Sequence, residues 1–132
     1  MKTKILLNPY SNRWSSQKRW PEAEAALRTA GVEFDLVVSE HTDHLVKLAA
    51  QAVKDGFTTL IVAGGDGSIG EVVNGAAYGW DETSPFPITM GILPLGTAND
   101  LGDNIGIPRD FSAVAQMIKQ GKTRQIDLCK CN

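Results

Sequence analysis

Apolar runs alternate with helical patterns along the chain. Ile5-Leu6-Leu7 predicts a first strand. Trp20, Ala23, Ala26, Leu27 and Ala30 recur at helical spacing, with Pro21 near the start and Gly31 at the stop. Phe34 to Val38 predicts a second strand. Leu45, Leu48, Ala49, Ala52 and Val53 mark a second helix, with Thr42 or Asp43 as its cap and Gly56 as its stop. Thr59-Leu60-Ile61-Val62-Ala63 is a short, β-branched run suited to a strand buried on both faces. A glycine-rich turn follows, and Ile69 to Ala77 reads as helical. Gly79 to Pro87 is polar with two prolines and predicts a loop; Ile88 to Leu93 predicts a strand, and Gly96 opens another turn. Asp110 caps a helix ending near Gly121, on which Phe111, Val114, Ala115 and Ile118 share a face. Arg124 to Cys129 begins a last strand.

Strands joined by helices must pair in parallel, because each connection crosses over the sheet. The expectation is therefore an α/β domain of three layers, a parallel sheet with helices on both faces. In such sheets ligands bind at the carboxyl ends of the strands, and both glycine-rich turns fall there.

Composition fits one soluble domain: 132 residues, 42% apolar and 21% charged. The formal net charge of -2 gives no basic excess, so nucleic acid is not an expected partner. Arg13, Lys18 and Arg19 form either a local basic patch or a solvated helix face. No run of about 18 apolar residues spans a membrane. The N-terminus lacks a signal peptide's apolar region and cleavage site, so cytoplasmic residence is the default expectation. Cys129 and Cys131 are too close for an unstrained disulfide and too few for a metal site. They are expected to be plain thiols. The chain stops at Lys130-Cys131-Asn132 with neither polar tail nor closing helix. A cut at a domain boundary is expected, a short natural protein being the alternative.

The strongest chemical signal is Gly64-Gly65-Asp66-Gly67-Ser68, directly after the third strand. Three glycines in four positions predict a turn with positive φ that lets backbone approach a ligand. The next helix offers unpaired N–H groups and a partial positive charge, a natural phosphate seat. Ser68 could cap that helix or donate to a phosphate oxygen. A plain tight turn explains the glycines equally well. Asp66 beside a triphosphate would be repulsive, costing roughly 4 kcal/mol for two unit charges about 4 Å apart at an effective dielectric of about 20. A site that keeps it there calls for a cation, and Mg²⁺ with oxygen ligands fits. The alternative is that Asp66 caps the helix or braces the turn. Asn8-Pro9-Tyr10-Ser11-Asn12 after the first strand and Thr42 after the second reach the same edge, as ligand contacts or as turns and caps. In the second glycine turn, Thr97 could reach a phosphate. Asn99 and Asp100 could cap a helix, the reading favoured locally, or line an acceptor-alcohol site. His41 and His44 lack partners spaced for a metal. There is no Walker-type or Rossmann glycine pattern.

Taken together, Asn8-Pro9, Gly64-Gly65-Asp66-Gly67-Ser68, Gly96-Thr97-Ala98-Asn99-Asp100 and Gly106-Ile107-Pro108 resemble, in order and spacing, the catalytic domain of diacylglycerol kinases and their bacterial relatives. The resemblance covers nearly the whole chain. The first glycine motif alone places only a superfamily that includes NAD kinases and sphingosine and ceramide kinases; the pairing with the second is specific.

The resemblance implies ATP- and Mg²⁺-dependent phosphorylation of a lipid hydroxyl. It implies ATP contacts at Asn8, Pro9, Tyr10, Ser11, Asn12, Thr42, Gly64, Gly65, Asp66, Gly67, Ser68, Ile69, Gly70, Glu71 and Thr97. Asp66 is implied as the residue essential to the nucleotide–metal site, with Gly96, Asn99 and Asp100 on the acceptor side. It further implies a second, β-sandwich domain carrying the catalytic base, absent from this chain, which leaves a homodimer through that domain open. Transient contact with a membrane surface is implied for the whole enzyme. Ser68 stands for the usual threonine, Gly70 for a common asparagine and Asn12 for an expected glycine. Leu101-Gly102-Asp103 departs from the family pattern, so acceptor specificity is not carried over. The rival readings are an NAD kinase-like soluble kinase, whose second motif differs, and a non-catalytic nucleotide-binding module.

Overall fold

Runs of consecutive apolar side chains in a strand need cover on both faces, and Ile5–Leu7 and Leu60–Ala63 of the central strands have it. The computed structural model describes residues 2–10, 15–41, 43–95, 106–108, 110–121 and 123. In chain order these form β1 (Thr3–Leu7), α1 (Ser15–Thr29), β2 (Asp35–Val38), α2 (His44–Lys54), β3 (Thr59–Gly64), α3 (Asp66–Ala76), β4 (Thr89–Pro94) and α4 (Phe111–Gln120). All six residues of β3 are buried. The sheet is parallel throughout, in the order β2-β1-β3-β4.

Side chains alternate across the strands with a period of two, and the core divides accordingly. Ile5, Leu7, Ile61, Ala63 and Leu93 pack on one face under Trp20, Ala23 and Leu27 of α1 and Phe111, Val114 and Ala115 of α4. Leu6, Leu60, Val62 and Ile92 pack on the other under Leu45, Ala49 and Ala52 of α2 and Ile69, Val72 and Ala76 of α3. This is the expected three-layer arrangement.

The chain moves outward from β1 to β2, then returns past β1 to β3 and on to β4. The helix after β1 covers one face and the helix after β3 covers the other. The carboxyl ends of β1 and β3 thus flank a topological switch point, where loops part and a crevice opens.

The predicted helix stops Gly31, Gly56 and Gly121 all take positive φ, of 81°, 88° and 70°. Asp110 caps α4, its side chain accepting from the Ser112 amide at 3.2 Å. One boundary differs. Pro21 was expected near the start of α1, yet the helix begins at Ser15 and encloses it. Proline suits a first helical position, which is why the sequence suggests a later start; inside the helix it leaves the Gln17 carbonyl without its usual amide donor. The last predicted strand, Arg124 to Cys129, lies outside the described residues.

Candidate functional site at the strand ends

Asn8 follows β1 at the switch point. Its main-chain amide continues the sheet ladder to Ala63 O at 2.9 Å. Its side chain faces two ways: Oδ1 accepts from the Tyr10 amide at 3.0 Å, and Nδ2 donates to Ser68 Oγ at 2.9 Å. A main-chain N–H can only donate, so the Tyr10 amide fixes which end of the Asn8 side chain is oxygen. The end of β1 is thereby fastened to the first turn of α3.

Between β3 and α3 stands a single residue, Gly65, with φ -111° and ψ -167°. This corrects the expected positive-φ turn. Gly64, Gly65, Gly67 and Gly70 all have ordinary φ values, and strand passes into helix almost without a loop. The glycines serve space instead. A Cβ on Gly64 would lie 2.6 Å from Ser68 Oγ and 2.9 Å from Ser68 Cβ. Among the described residues, a Cβ on Gly67 or Gly70 would meet nothing within 4 Å, and both residues are exposed. Ser68 is not the helix cap either. Gly65 holds that position without a side-chain bond, and Ser68 lies inside the first turn, buried.

The first main-chain bond of α3 runs from the Ile69 amide to Gly65 O at 3.1 Å. The amides of Gly67 and Ser68 precede it, next to Gly64, Gly65 and Gly67, which carry no side chains. Such an arrangement suits an anion. Asp66 is half-buried in the same turn, where the helix dipole favours a carboxylate. Among the described residues no group of three or more His, Cys, Asp or Glu side chains could hold a metal ion. A cation at Asp66 would therefore draw its other oxygen ligands from a bound phosphate and water, as Mg²⁺ commonly does.

The β2–α2 connection closes the far side. Tyr10 Oη donates to Glu40 O at 2.9 Å, and the Glu40 amide donates to His44 Nδ1 at 2.9 Å. The rings of His41 and His44 stack at 4.5 Å with an interplanar angle of 14°. His44 is thus a structural acceptor for the β2–α2 connection. A groove of about 470 Å³ opens beside this connection, lined by Pro9, Tyr10 and Trp20 and by the exposed Leu36 and Val38 of β2.

Glu71, on the second turn of α3, meets Asp43 at the start of α2. Its Oε1 is buried and has no hydrogen-bond partner among the described residues. Burial pushes its carboxyl above the ordinary value, the Asp43 charge adds to this, and a main-chain hydrogen bond from Asp43 offsets part of it.

The structure thus brings Asn8, Pro9, Tyr10 and Gly64 to Glu71 to one end of the sheet. The Ile69 side chain is the exception, pointing into the core. Ser11, Asn12, Thr42, Gly96, Thr97, Asn99 and Asp100 lie outside the described residues. Sequence reasoning missed Glu40, which has no motif to mark it, and the approach of Glu71 to Asp43, which only the α2–α3 packing creates.

Residues 2–131 match the family model described as the diacylglycerol kinase catalytic domain. Diacylglycerol kinases of Staphylococcus aureus, from strains bovine RF122 / ET3-1 and MRSA252, are each 32% identical to it over 131 residues, covering 99% of this chain and 40% of theirs. The chain therefore spans less than half the length of the curated relatives it matches. Among solved structures, a diacylglycerol kinase from Bacillus anthracis strain Sterne superposes with a TM-score of 0.74 at 22% identity, over 92% of this chain and 42% of that one. That likeness shows a shared fold.

Proposed function

The chain belongs to the diacylglycerol kinase catalytic domain family, and from that premise we propose that it is the ATP-holding part of a kinase that phosphorylates a lipid hydroxyl such as that of diacylglycerol. One observation carries the reading. At the switch point, the open first turn of α3 is held to the end of β1 through Asn8 and Ser68, and Gly67 and Gly70 leave its outer side bare.

The phosphates lie against the amides of Gly67 and Ser68. Asp66 would hold Mg²⁺, which when bound offsets phosphate charge. Phosphoryl transfer needs little covalent work from the protein; positioning and electrostatics dominate it. The residues of this chain accordingly bind and orient. In a protein of the relatives' full length, the acceptor hydroxyl loses its proton to a base outside this chain and attacks the γ-phosphorus, the bond from that phosphorus to the β–γ bridging oxygen breaks, and ADP leaves. No helix among the described residues is long and apolar enough to cross a membrane; a diacylglycerol-like acceptor is itself a membrane lipid, and the transfer is read as taking place at a membrane surface.

Calorimetry of this chain with Mg-ATP tests the binding half, with saturable binding expected. Transfer of label from γ-labelled ATP to diacylglycerol by the full-length protein, with NAD as an alternative acceptor, tests the chemistry. Transfer to NAD and to no lipid would overturn the reading.

A further inference from the structure

β2 is an edge strand: β1 pairs with one flank, and no strand borders the other among the described residues. The Ser39 amide donates to Leu7 O at 2.9 Å, so the odd-numbered residues of β2 turn their main-chain groups toward β1. Those of Leu36 and Val38 turn outward, leaving half a ladder on offer. Edges of this kind are usually blunted by proline, bulges or charge. Here Asp35-Leu36-Val37-Val38 has a charge only at its first position. Leu36 and Val38 neighbour Ile5 and Leu7 on the α1 side of the sheet, and both are exposed.

The chemistry of this strand matches a second copy of itself running the opposite way. About a two-fold axis through Val37, Leu36 of each copy faces Val38 of the other. Both exposed side chains are then covered, and the outward N–H and C=O groups meet. Asp35 faces Ser39 and Glu33 faces His41, so acid never meets acid. Phe34 faces Glu40. The Arg28 guanidinium stands over the Phe34 ring, 4.9 Å from its centroid, so each Glu40 comes up to a cation of the other copy. The pair of Arg28 with Glu24 is long, at 3.4 Å, and solvent-exposed, so it is weak and leaves Arg28 able to turn. Opposite charges across a strand pair favour it and like charges oppose it. The register is thus self-complementary, as a two-fold contact requires. The groove walled by Tyr10 and Trp20 continues apolar surface beside Leu36 and Val38.

We infer that β2 is a self-association edge, along which two copies of this chain pair antiparallel about Val37. The order β4-β3-β1-β2 then runs on into β2 of the second copy as one sheet, with both α1 helices on the same face. The contact is small, so the dimer is weak, with a dissociation constant on the order of 10–100 µM. The inference stands apart from the nucleotide reading.

Sedimentation equilibrium of the wild-type chain over about 1 µM to about 1 mM should show monomer and dimer in exchange. Leu36→Lys and Val38→Lys, both at exposed sites, should each weaken the dimer about ten-fold or more, with the circular dichroism spectrum unchanged. Arg28→Glu should weaken it about three-fold, and adding Glu40→Arg should restore it, because the charges are exchanged and the register is kept. Disulfide mapping in a Cys129→Ser, Cys131→Ser background fixes that register. Each Val37 lies opposite its twin with Cα atoms about 4.5 Å apart, so Val37→Cys should cross-link the copies. The two Asp35 residues stand about 13 Å apart, four residues along, so Asp35→Cys should not. A wild type monomeric throughout overturns the inference. So does a dimer that Val38→Lys leaves intact, or one that cross-links through Asp35→Cys in place of Val37→Cys, since another surface or register would then be in use. A monomer whose β2 takes up a peptide of alternating apolar and basic residues also overturns it and gives the edge to a different chain.

Discussion

The Asn8 side chain donates to Ser68 Oγ at 2.9 Å across sixty residues of sequence, joining the end of β1 to the first turn of α3. Its other end is held by the Tyr10 amide, so the bond has a fixed polarity. Each of Asn8→Ala and Ser68→Ala should cost about 1–2 kcal/mol, because each leaves a partner unsatisfied in a part-buried place. The double variant should cost less than the sum, with a coupling of about 1 kcal/mol. Urea unfolding of the four proteins measures it, and strict additivity would show that the bond contributes nothing.

Gly64 and Gly70 should behave oppositely. Gly64→Ala forces a methyl into Ser68, a residue fixed by its helix, and should destabilise by about 1–3 kcal/mol. Gly70→Ala adds a methyl in open space within a helix, and should stabilise by about 0.5–1 kcal/mol. The same methyl intrudes on the bare face of α3, so ATP affinity should fall as stability rises. Thermal melts and calorimetry on the two variants separate the effects.

Gly75 lets α2 and α3 touch. A Cβ there would run into the Val46 carbonyl oxygen and come within 2.8 Å of Ala49 Cβ. Main chain cannot yield as a flexible side chain can, so Gly75→Ala should cost about 3 kcal/mol. A midpoint of denaturation unchanged from wild type would show that the two helices part freely.

Asp66→Asn removes a charge and keeps the shape. Affinity for Mg-ATP should drop about ten-fold, while ATP in excess chelator should bind as well as before or better, since a repulsion has gone. Equal affinity for Mg-ATP in both proteins would separate Asp66 from the cation.

The raised carboxyl of Glu71 sets a pH dependence. A group that holds its proton more tightly when folded costs stability as pH rises from the unfolded value, near the ordinary 4.5, through the folded one. Glu71→Gln should therefore gain on the wild type across that interval and stay ahead at pH 7, with the gap closing below about pH 4. Denaturation midpoints measured at both ends of the range check the sign.

Much of the fold was legible because each strand and helix carries its own signal. The β-branched run at Thr59–Ala63 announced a strand with no solvent face, and Gly31, Gly56 and Gly121 marked helix ends. The alternation of elements implied parallel pairing, but the order β2-β1-β3-β4 depends on which way each crossover turns, and no single residue states that. The glycines after β3 were visible and their purpose was not. Composition suggests conformational freedom, whereas the geometry uses absent side chains as room. Pro21 misled because its favoured place is a helix start. The meeting of Glu71 with Asp43 was invisible, since it follows from the packing of two helices and from no local pattern.

The placement of β1 between β2 and β3 also bears on how the protein is made. Its Ile5, Leu6 and Leu7 leave the ribosome before β3 does, so one flank has no partner until residues 59–63 have emerged. A nascent chain paused before that point would expose a greasy, unpaired ribbon, the sort of surface that recruits neighbouring chains. Slow codons or a chaperone hold would be tolerated far better after β3 than before it.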